Sequence, residues 1–294
     1  MYTQFFGNFL LSKGVLSAEE LVDAMEKQAS VHLKLGTIAI HEGMLTAPEV
    51  DHIVIQQTHQ DKKFGEIAIA EGYLTEEQVS QLLSSQKPDY LLLGQILIEN
   101  GKLTNSDFEN LLSDYQSQNE IYDLDSHTEQ HSLVTRLIHQ FCDFNDEKTT
   151  QTAIDYLTLL FNNLVRFIGN DFTPLDPVNC PDGYPKNYCV TQHITGDRSI
   201  NAAIDMEPAT AVAFASRYAG ETFDSFDEYA KASIEDFLNL HNGLFNVNMS
   251  NQSSIELSLC PPEVHSGDVL EFDTPAYILP VIFPFGMVYF VLAF

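Results

Sequence analysis

Tryptophan is absent from the 294 residues, cysteine occurs four times, and basic side chains are scarce, with 14 Lys plus Arg against 42 Asp plus Glu and a formal charge of −28. A field of that sign repels polyanions, so neither nucleic acid nor an anionic membrane surface is expected as a partner. The cysteines, Cys142, Cys180, Cys189 and Cys260, show no metal or redox spacing, and no signal-like segment precedes them. Reduced thiols in a cytoplasmic protein are the expectation. The histidines are equally scattered. His127 and His131 stand four apart but have no third ligand nearby in sequence, so no metal and no cofactor of the chain's own is expected. A long apolar run is lacking too: residues 278–294 come nearest, but Pro280, Pro284 and Gly286 interrupt them. They fall short of the about 20 residues that a membrane span needs, and read instead as two core strands joined at Pro284-Phe285-Gly286.

Against these absences stand 20 Phe and 12 Tyr, ample for a core, and a length that suits two domains. Residues 1–118 form a repeat. Phe6-Gly7, Leu35-Gly36, Phe64-Gly65 and Leu93-Gly94 recur every 29 residues, as do Gly14, Gly43, Gly72 and Gly101, and Gln28, Gln57 and Gln86. Each unit reads as a short apolar helix, a glycine turn, and a capped second helix. Ser17/Glu20, Thr46/Glu49 and Thr75/Gln78 have capping-box spacing, while Thr104/Asp107 is expected to be less well formed. Four helical hairpins packed in series follow, since no single unit could bury its own stripe. Residues 119–131, polar and without a sustained period, read as a linker.

In the remainder, 132–294, the period changes from element to element. Thr149–Ile168 repeats apolar residues at helical spacing. Tyr188–Thr195 and Ser199–Met206 flank a Gly196-Asp197 turn as a hairpin does, and Ile255, Leu257 and Leu259 alternate like a half-buried strand. In the helix expected over Phe226–Ser250, Phe226, Ala230, Ile234, Phe237, Leu238, His241, Leu244 and Phe245 make the inward stripe. Glu228, Ala232, Glu235, Asp236, Asn239, Asn242, Gly243 and Asn246 make the outer face. Asp236 and Asn239, three apart, project the same way from adjacent turns. A carboxylate and a carboxamide flanked by the small residues Ala232 and Gly243 form a surface that another protein can approach closely.

The run Asp236-Phe-Leu-Asn239-Leu-His-Asn-Gly243 resembles the signature helix of the CheC/CheX family of chemotaxis phosphatases, in which an acid, usually Glu, stands three residues before an Asn and a Gly follows. Asn239 and Gly243 match; Asp236 replaces the usual Glu, and Ala232 replaces a further upstream Asp. Asn201–Met206 with Pro208–Gly220, and Ser254–Pro262, are similar to the family's flanking elements. The resemblance implies an α+β fold, with two long helices on one antiparallel sheet behind the helical-hairpin repeats. It implies hydrolysis of the phosphoaspartate of a phosphorylated response regulator receiver domain, with Asn239 positioning water and Asp236 engaging the receiver's lysine. Ala232, Glu235 and Gly243 would contact that partner, Mg²⁺ would sit on the partner receiver, and the chain would form a homodimer through its sheet. Asn162 and Asn163, on the helix expected to pair with the signature helix, have Leu159 and Leu160 three residues before them, so one candidate site is expected. The same family contains flagellar switch relatives that bind and assemble without catalysis, which leaves a receiver-binding adaptor as the second reading.

The repeats resemble the N-terminal modules of type II secretion and pilus ATPases. Some of these bind cyclic di-GMP through an Arg ahead of the Leu-Gly and a Gln on the second helix. The corresponding positions are Lys34, Gly36, Gln57, Lys63, Gly65 and Gln86, but residues 1–118 contain no Arg and carry seven Lys against seventeen Asp plus Glu. Lysine lacks the planar fork that grips guanine and phosphate together. A protein-docking or dimerising module is therefore the favoured reading of this region, beside a purely structural spacer and a second-messenger sensor.

Overall fold

The computed structural model describes residues 4–28, 30–84, 90–118, 126–144, 146–181, 184–185, 187–267, 269–272 and 274–294. The chain divides into two compact units, Met1–Ser126 and His127–Phe294.

The first unit is helical: α1 (Gln4–Ser12), α2 (Ala18–Gln28), α3 (Leu35–His41), α4 (Ala47–His59), α5 (Phe64–Ala70), α6 (Glu76–Ser84), α7 (Tyr90–Glu99) and α8 (Asn105–Gln118). Gly14, Gly43, Gly72 and Gly101 close the odd-numbered helices with φ of 67°, 63°, 78° and 71°, a left-handed geometry that glycine adopts without steric cost. The even-numbered helices open on reciprocal caps, as where the Thr75 amide donates to Gln78 Oε1 (2.8 Å) and the Gln78 amide to Thr75 Oγ1 (3.2 Å). The fourth box closes like the others. The Thr104 amide donates to Asp107 Oδ2 (2.9 Å) and the Asp107 amide to Thr104 Oγ1 (3.1 Å), the shorter acid reaching as well as Glu does.

The recurrent glycines inside α3, α5 and α7 admit the second helix of each pair. A Cβ on Gly36 would lie 2.8 Å from Val50, one on Gly65 3.0 Å from Val79, and one on Gly94 2.0 Å from the Phe108 ring. The pairs do not stack in chain order. Among the described residues, α7 packs on α1, α2 and α3, α8 packs on α3 and α4, and the third pair meets the second through α3–α5, α3–α6 and α4–α5. The fourth pair therefore sits between the first and second, where an arrangement in series would place it beside the third. Buried Gln95 of α7 shows what holds this crossing. It accepts from the Lys34 amide (2.5 Å) and donates to His32 O (2.8 Å), satisfying backbone that precedes α3.

The second unit comprises α9 (Ser126–Phe141), α10 (Glu147–Phe167), β1 (Thr173–Pro174), β2 (Val178–Asn179), β3 (Tyr184–Pro185), β4 (Tyr188–Gly196), β5 (Ile200–Met206), α11 (Pro208–Ala219), α12 (Glu228–Ser253), β6 (Leu257–Leu259), β7 (Glu263–Ser266), β8 (Val269–Leu270), β9 (Ala276–Phe283) and β10 (Gly286–Ala293). The stretch read as linker is already helical from Ser126; its remainder, 119–125, lies outside the described residues. The helix is drawn in by Leu133, Val134, Leu137 and Ile138, which α9 buries beyond the polar segment.

Strands run β1-β9-β10-β5-β4-β6, with β2 also on β9 and β7 also on β4, and every pairing is antiparallel. The β4–β5 hairpin pairs Tyr188 with Met206 and Ile194 with Ile200. The β9–β10 hairpin turns at Pro284 and Phe285 and resumes at Gly286, whose φ of 139° excludes most side chains and whose Cβ would meet Thr210 Oγ1 at 2.2 Å. Strand alternation turns Tyr188, Val190, Gln192 and Ile194 of β4 to the face that α12 covers. On the opposite face Cys189, Ala203, Ile278 and Val291 pack with Tyr184, Tyr289 and Phe272. The helical layer locks onto the sheet through aromatic edges: Phe214 meets Phe237 at 5.1 Å and Phe283 at 6.3 Å. Each such fully buried ring contributes about 2–3 kcal/mol.

Candidate functional site

The candidate residues ride on α12. Asp227 starts the helix, its carboxylate accepting from the Tyr229 and Ala230 amides (both 3.0 Å). Ala230, Ile234, Phe237, Leu238, His241, Phe245 and Met249 are buried, which fixes the helix's rotation. Phe226 of the expected stripe precedes the helix and sets its ring on Tyr188 (4.6 Å), and Leu244 is half-buried. Asn242, expected on the outer face, is instead fully buried. It follows Ile234 and Leu238 at successive four-residue steps, so its position is inward although its chemistry is polar. Ala232, Asp236 and Asn239 are exposed, with Glu235 and Gly243 half-buried beside them.

Asp236 is held at one oxygen. The Tyr218 hydroxyl, from the end of α11, donates to Oδ2 at 2.6 Å. Burial, reinforced by this bond, pushes the Tyr218 hydroxyl well above the ordinary phenol range, so it stays a donor at neutral pH. A depression of about 530 Å³ opens beside Asp236, lined by Tyr218, Glu221, Phe223, Tyr229 and Ala232. Glu235 takes a long contact from the Tyr188 hydroxyl (3.5 Å).

Asn239 is held from behind. Its Oδ1 accepts from Gln192 Nε2 (2.8 Å), and the same nitrogen donates to Cys260 O (2.8 Å). Gln192 Oε1 accepts from Asn242 Nδ2 (2.8 Å), and Asn242 Oδ1 accepts from the Tyr156 hydroxyl of α10 (2.7 Å). Gln192 and Asn242 are 1% and 0% exposed, so this chain of amides is a buried network with its groups mutually satisfied. Neither residue belongs to the expected site. A signal for Gln192 exists in the sequence: it is the polar interruption of the inward alternation Tyr188, Val190, Gln192, Ile194.

Beside the network, His241 is fully buried, its Nδ1 taking the Asn163 amide (2.9 Å) and its ring standing edge-on to Tyr156 (4.5 Å). Burial pushes its pKa down to about 3, so the imidazole is neutral and serves packing. Among the described residues no cluster of three His, Cys, Asp or Glu side chains could hold a metal ion. No helix among them is long and apolar enough to cross a membrane.

In the first unit, Lys34, Gly36 and Gln57 line a groove of about 410 Å³ between α3, α4 and α7, while Lys63 and Gly65 lie outside its lining. Gln86 falls outside the described residues. The Lys34 ammonium is already engaged by Glu99 (2.7 Å), Gln57 donates to Lys62 O (3.3 Å), and the space over Gly36 is taken by Val50 and Phe64. Of the five described positions, three therefore line the groove and two do not, and helix packing accounts for the two glycines.

Neither a protein-family model nor a curated protein matches the chain. Solved structures do. A chemotaxis protein CheX from Desulfovibrio desulfuricans is similar over 49% of this chain and 98% of its own, at 16% identity and a TM-score of 0.42. A CheC-like superfamily protein from Shewanella sp. PV-4 is similar over 48% and 96%, at 19% identity and 0.43. A CheX–CheY–BeF₃–Mg²⁺ complex from Borrelia burgdorferi contains a chain similar over 47% of this one and 94% of its own, at 20% identity and 0.40.

Proposed function

We propose that the second unit hydrolyses the phosphoaspartate of a phosphorylated receiver domain, with Asn239 as the group that positions water and Asp236 as the docking acid. The observation that carries this reading is the state of Asn239. Its carboxamide oxygen is anchored inside the protein, while the residue itself stands exposed beside an exposed carboxylate on the same helix face. The reaction asks little more of a protein. Water's oxygen bonds to phosphorus as the bond to the aspartyl oxygen breaks, the aspartate leaves as a carboxylate with the bonding pair, and the water protons stay on the phosphate, which sheds one to solvent as pH dictates. Phosphoryl transfer of this kind depends on positioning and on charge stabilisation, and a fixed amide donor supplies the first. Charge stabilisation would come from Mg²⁺ held by the receiver. Asp236, with one oxygen held by Tyr218, keeps the other for a cation such as the receiver's lysine. A homodimer belongs to this reading through the sheet's edges, because chain segments already pack on the face opposite α12.

The test is release of phosphate from a labelled receiver domain by wild type, Asn239→Ala and Asp236→Ala. Acceleration by the wild type that both substitutions abolish supports the proposal; phosphate loss at the spontaneous rate with every receiver tried removes it. A second reading, a receiver-binding adaptor without catalysis, draws support from Ala232, which leaves the upstream acid position of the motif empty of charge, and from the Tyr218 bond that occupies part of Asp236. Tight receiver binding with no acceleration identifies that outcome.

A further inference from the structure

We propose that Gln192 is a positioning residue that fixes the Asn239 carboxamide with its NH₂ turned out of the protein. The part of this proposal that concerns turnover rests on the phosphatase reading; the part that concerns orientation stands without it.

Cys260 O is a backbone carbonyl and can only accept, so the end of Gln192 that lies 2.8 Å from it must be the NH₂. The same nitrogen lies 2.8 Å from Asn239, and an N–H needs an acceptor there, so Asn239 must present its oxygen. Its NH₂ then has the remaining direction, outward from an exposed position. The other end of Gln192 confirms the sense. Its Oε1 receives Asn242 Nδ2 (2.8 Å), which leaves Asn242 Oδ1 for the Tyr156 hydroxyl (2.7 Å). Turning any one amide sets two oxygens or two N–H groups against each other, at a Gln192 and an Asn242 that water does not reach. An exposed asparagine ordinarily rotates among rotamers and exchanges its two ends. Here the sheet imposes one arrangement, and the donor that must meet the attacking water or a phosphoryl oxygen is oriented before the partner arrives.

The experiment uses the full chain as wild type, Gln192→Met, Tyr156→Phe, Asn239→Ala and the double variant Gln192→Met/Asn239→Ala. The side-chain amide resonances of Asn239, assigned by their loss in Asn239→Ala, report orientation without reference to activity. They should shift clearly in Gln192→Met and less in Tyr156→Phe, with side-chain amides outside the network of Gln192, Asn239 and Asn242 unmoved. In the receiver assay, Gln192→Met should lower the rate of phosphate loss about tenfold or more, with receiver affinity within about twofold. It should cost nothing further in the Asn239→Ala background, whereas a merely structural role would add to the loss. Unshifted Asn239 resonances in folded Gln192→Met, or an additive loss in the double variant, overturns the proposal. If Gln192→Met does not fold, Tyr156→Phe, which deletes one hydroxyl at the far end of the chain of amides, decides by the same readouts. A wild type that does not accelerate phosphate loss removes the phosphatase reading and the turnover part with it; the resonances then decide the orientation.

Discussion

Asn163 of α10 and Asn239 of α12, on the two long helices of the second unit, are put to opposite uses. Asn163 of α10 is 4% exposed and spends its amide on His241. Asn239 of α12 is exposed, and among the described residues only its oxygen is engaged, by Gln192. Three residues before Asn163 stands Leu160, buried; three residues before Asn239 stands Asp236, exposed. The contrast shows that an asparagine on a core helix is by itself no sign of chemistry. What separates the two is whether the amide ends inside the protein or is held from inside and offered outside.

The largest expected effect tests that division. Asn239→Ala should lower receiver dephosphorylation by about 100-fold, since a lost positioning contact costs that much, and should leave the melting temperature nearly unchanged at this exposed site. Asn163→Ala should do the reverse, removing about 1–3 kcal/mol of stability by leaving the His241 Nδ1 without its donor, with turnover unaltered at a temperature where the protein is folded. Equal effects of the two on turnover would erase the comparison.

The pH dependence of stability sharpens it further. The His241 pKa is depressed from its usual value to about 3 in the folded chain. The unfolded chain therefore binds a proton here below about pH 6.5 that the folded chain refuses. The His241 contribution is fully present above that pH and is lost as pH falls toward 3, by about 1 kcal/mol per unit. Denaturant titrations between pH 7 and 4 should show a slope that His241→Gln flattens; an unchanged slope places the acid sensitivity elsewhere.

The smallest effect concerns the docking face. Gly36, Gly65 and Gly94 are demanded by side chains packed against them, but a Cβ on Gly243 would meet only Leu259, at 3.9 Å. Gly243→Ala should therefore stabilise α12 by up to about 1 kcal/mol. It should also weaken receiver binding if the partner approaches as closely as the small residue permits. Stabilisation without any change in affinity would take Gly243 out of the interface.

The sequence made parts of this legible for physical reasons. Turn residues located both hairpins: Gly196-Asp197 between β4 and β5, and Pro284-Phe285-Gly286, which breaks an apolar run, between β9 and β10. The 29-residue period exposed helix pairs but not their neighbours. Gly36, Gly65 and Gly94 recur because each pair makes the same internal contact, and that contact says nothing of why the fourth pair lies between the first and second. Asp236 and Asn239 were visible because they sit where polarity and position agree. Asn242 was misplaced because there the two disagree: a buried amide survives when every bond is met, and those bonds come from Gln192 and Tyr156, distant in sequence. Gln192 is the one polar residue in the inward alternation Tyr188, Val190, Gln192, Ile194, but its partners Asn239 and Asn242 are distant in sequence.

The most direct measurement is single-turnover loss of labelled phosphate from a receiver domain, with wild type, Asn239→Ala and Asn163→Ala compared under conditions where all three are folded. Acceleration is expected from wild type and Asn163→Ala, with Asn239→Ala lower by about 100-fold. Acceleration undiminished in Asn239→Ala, or absent in the wild type, would contradict the phosphatase reading.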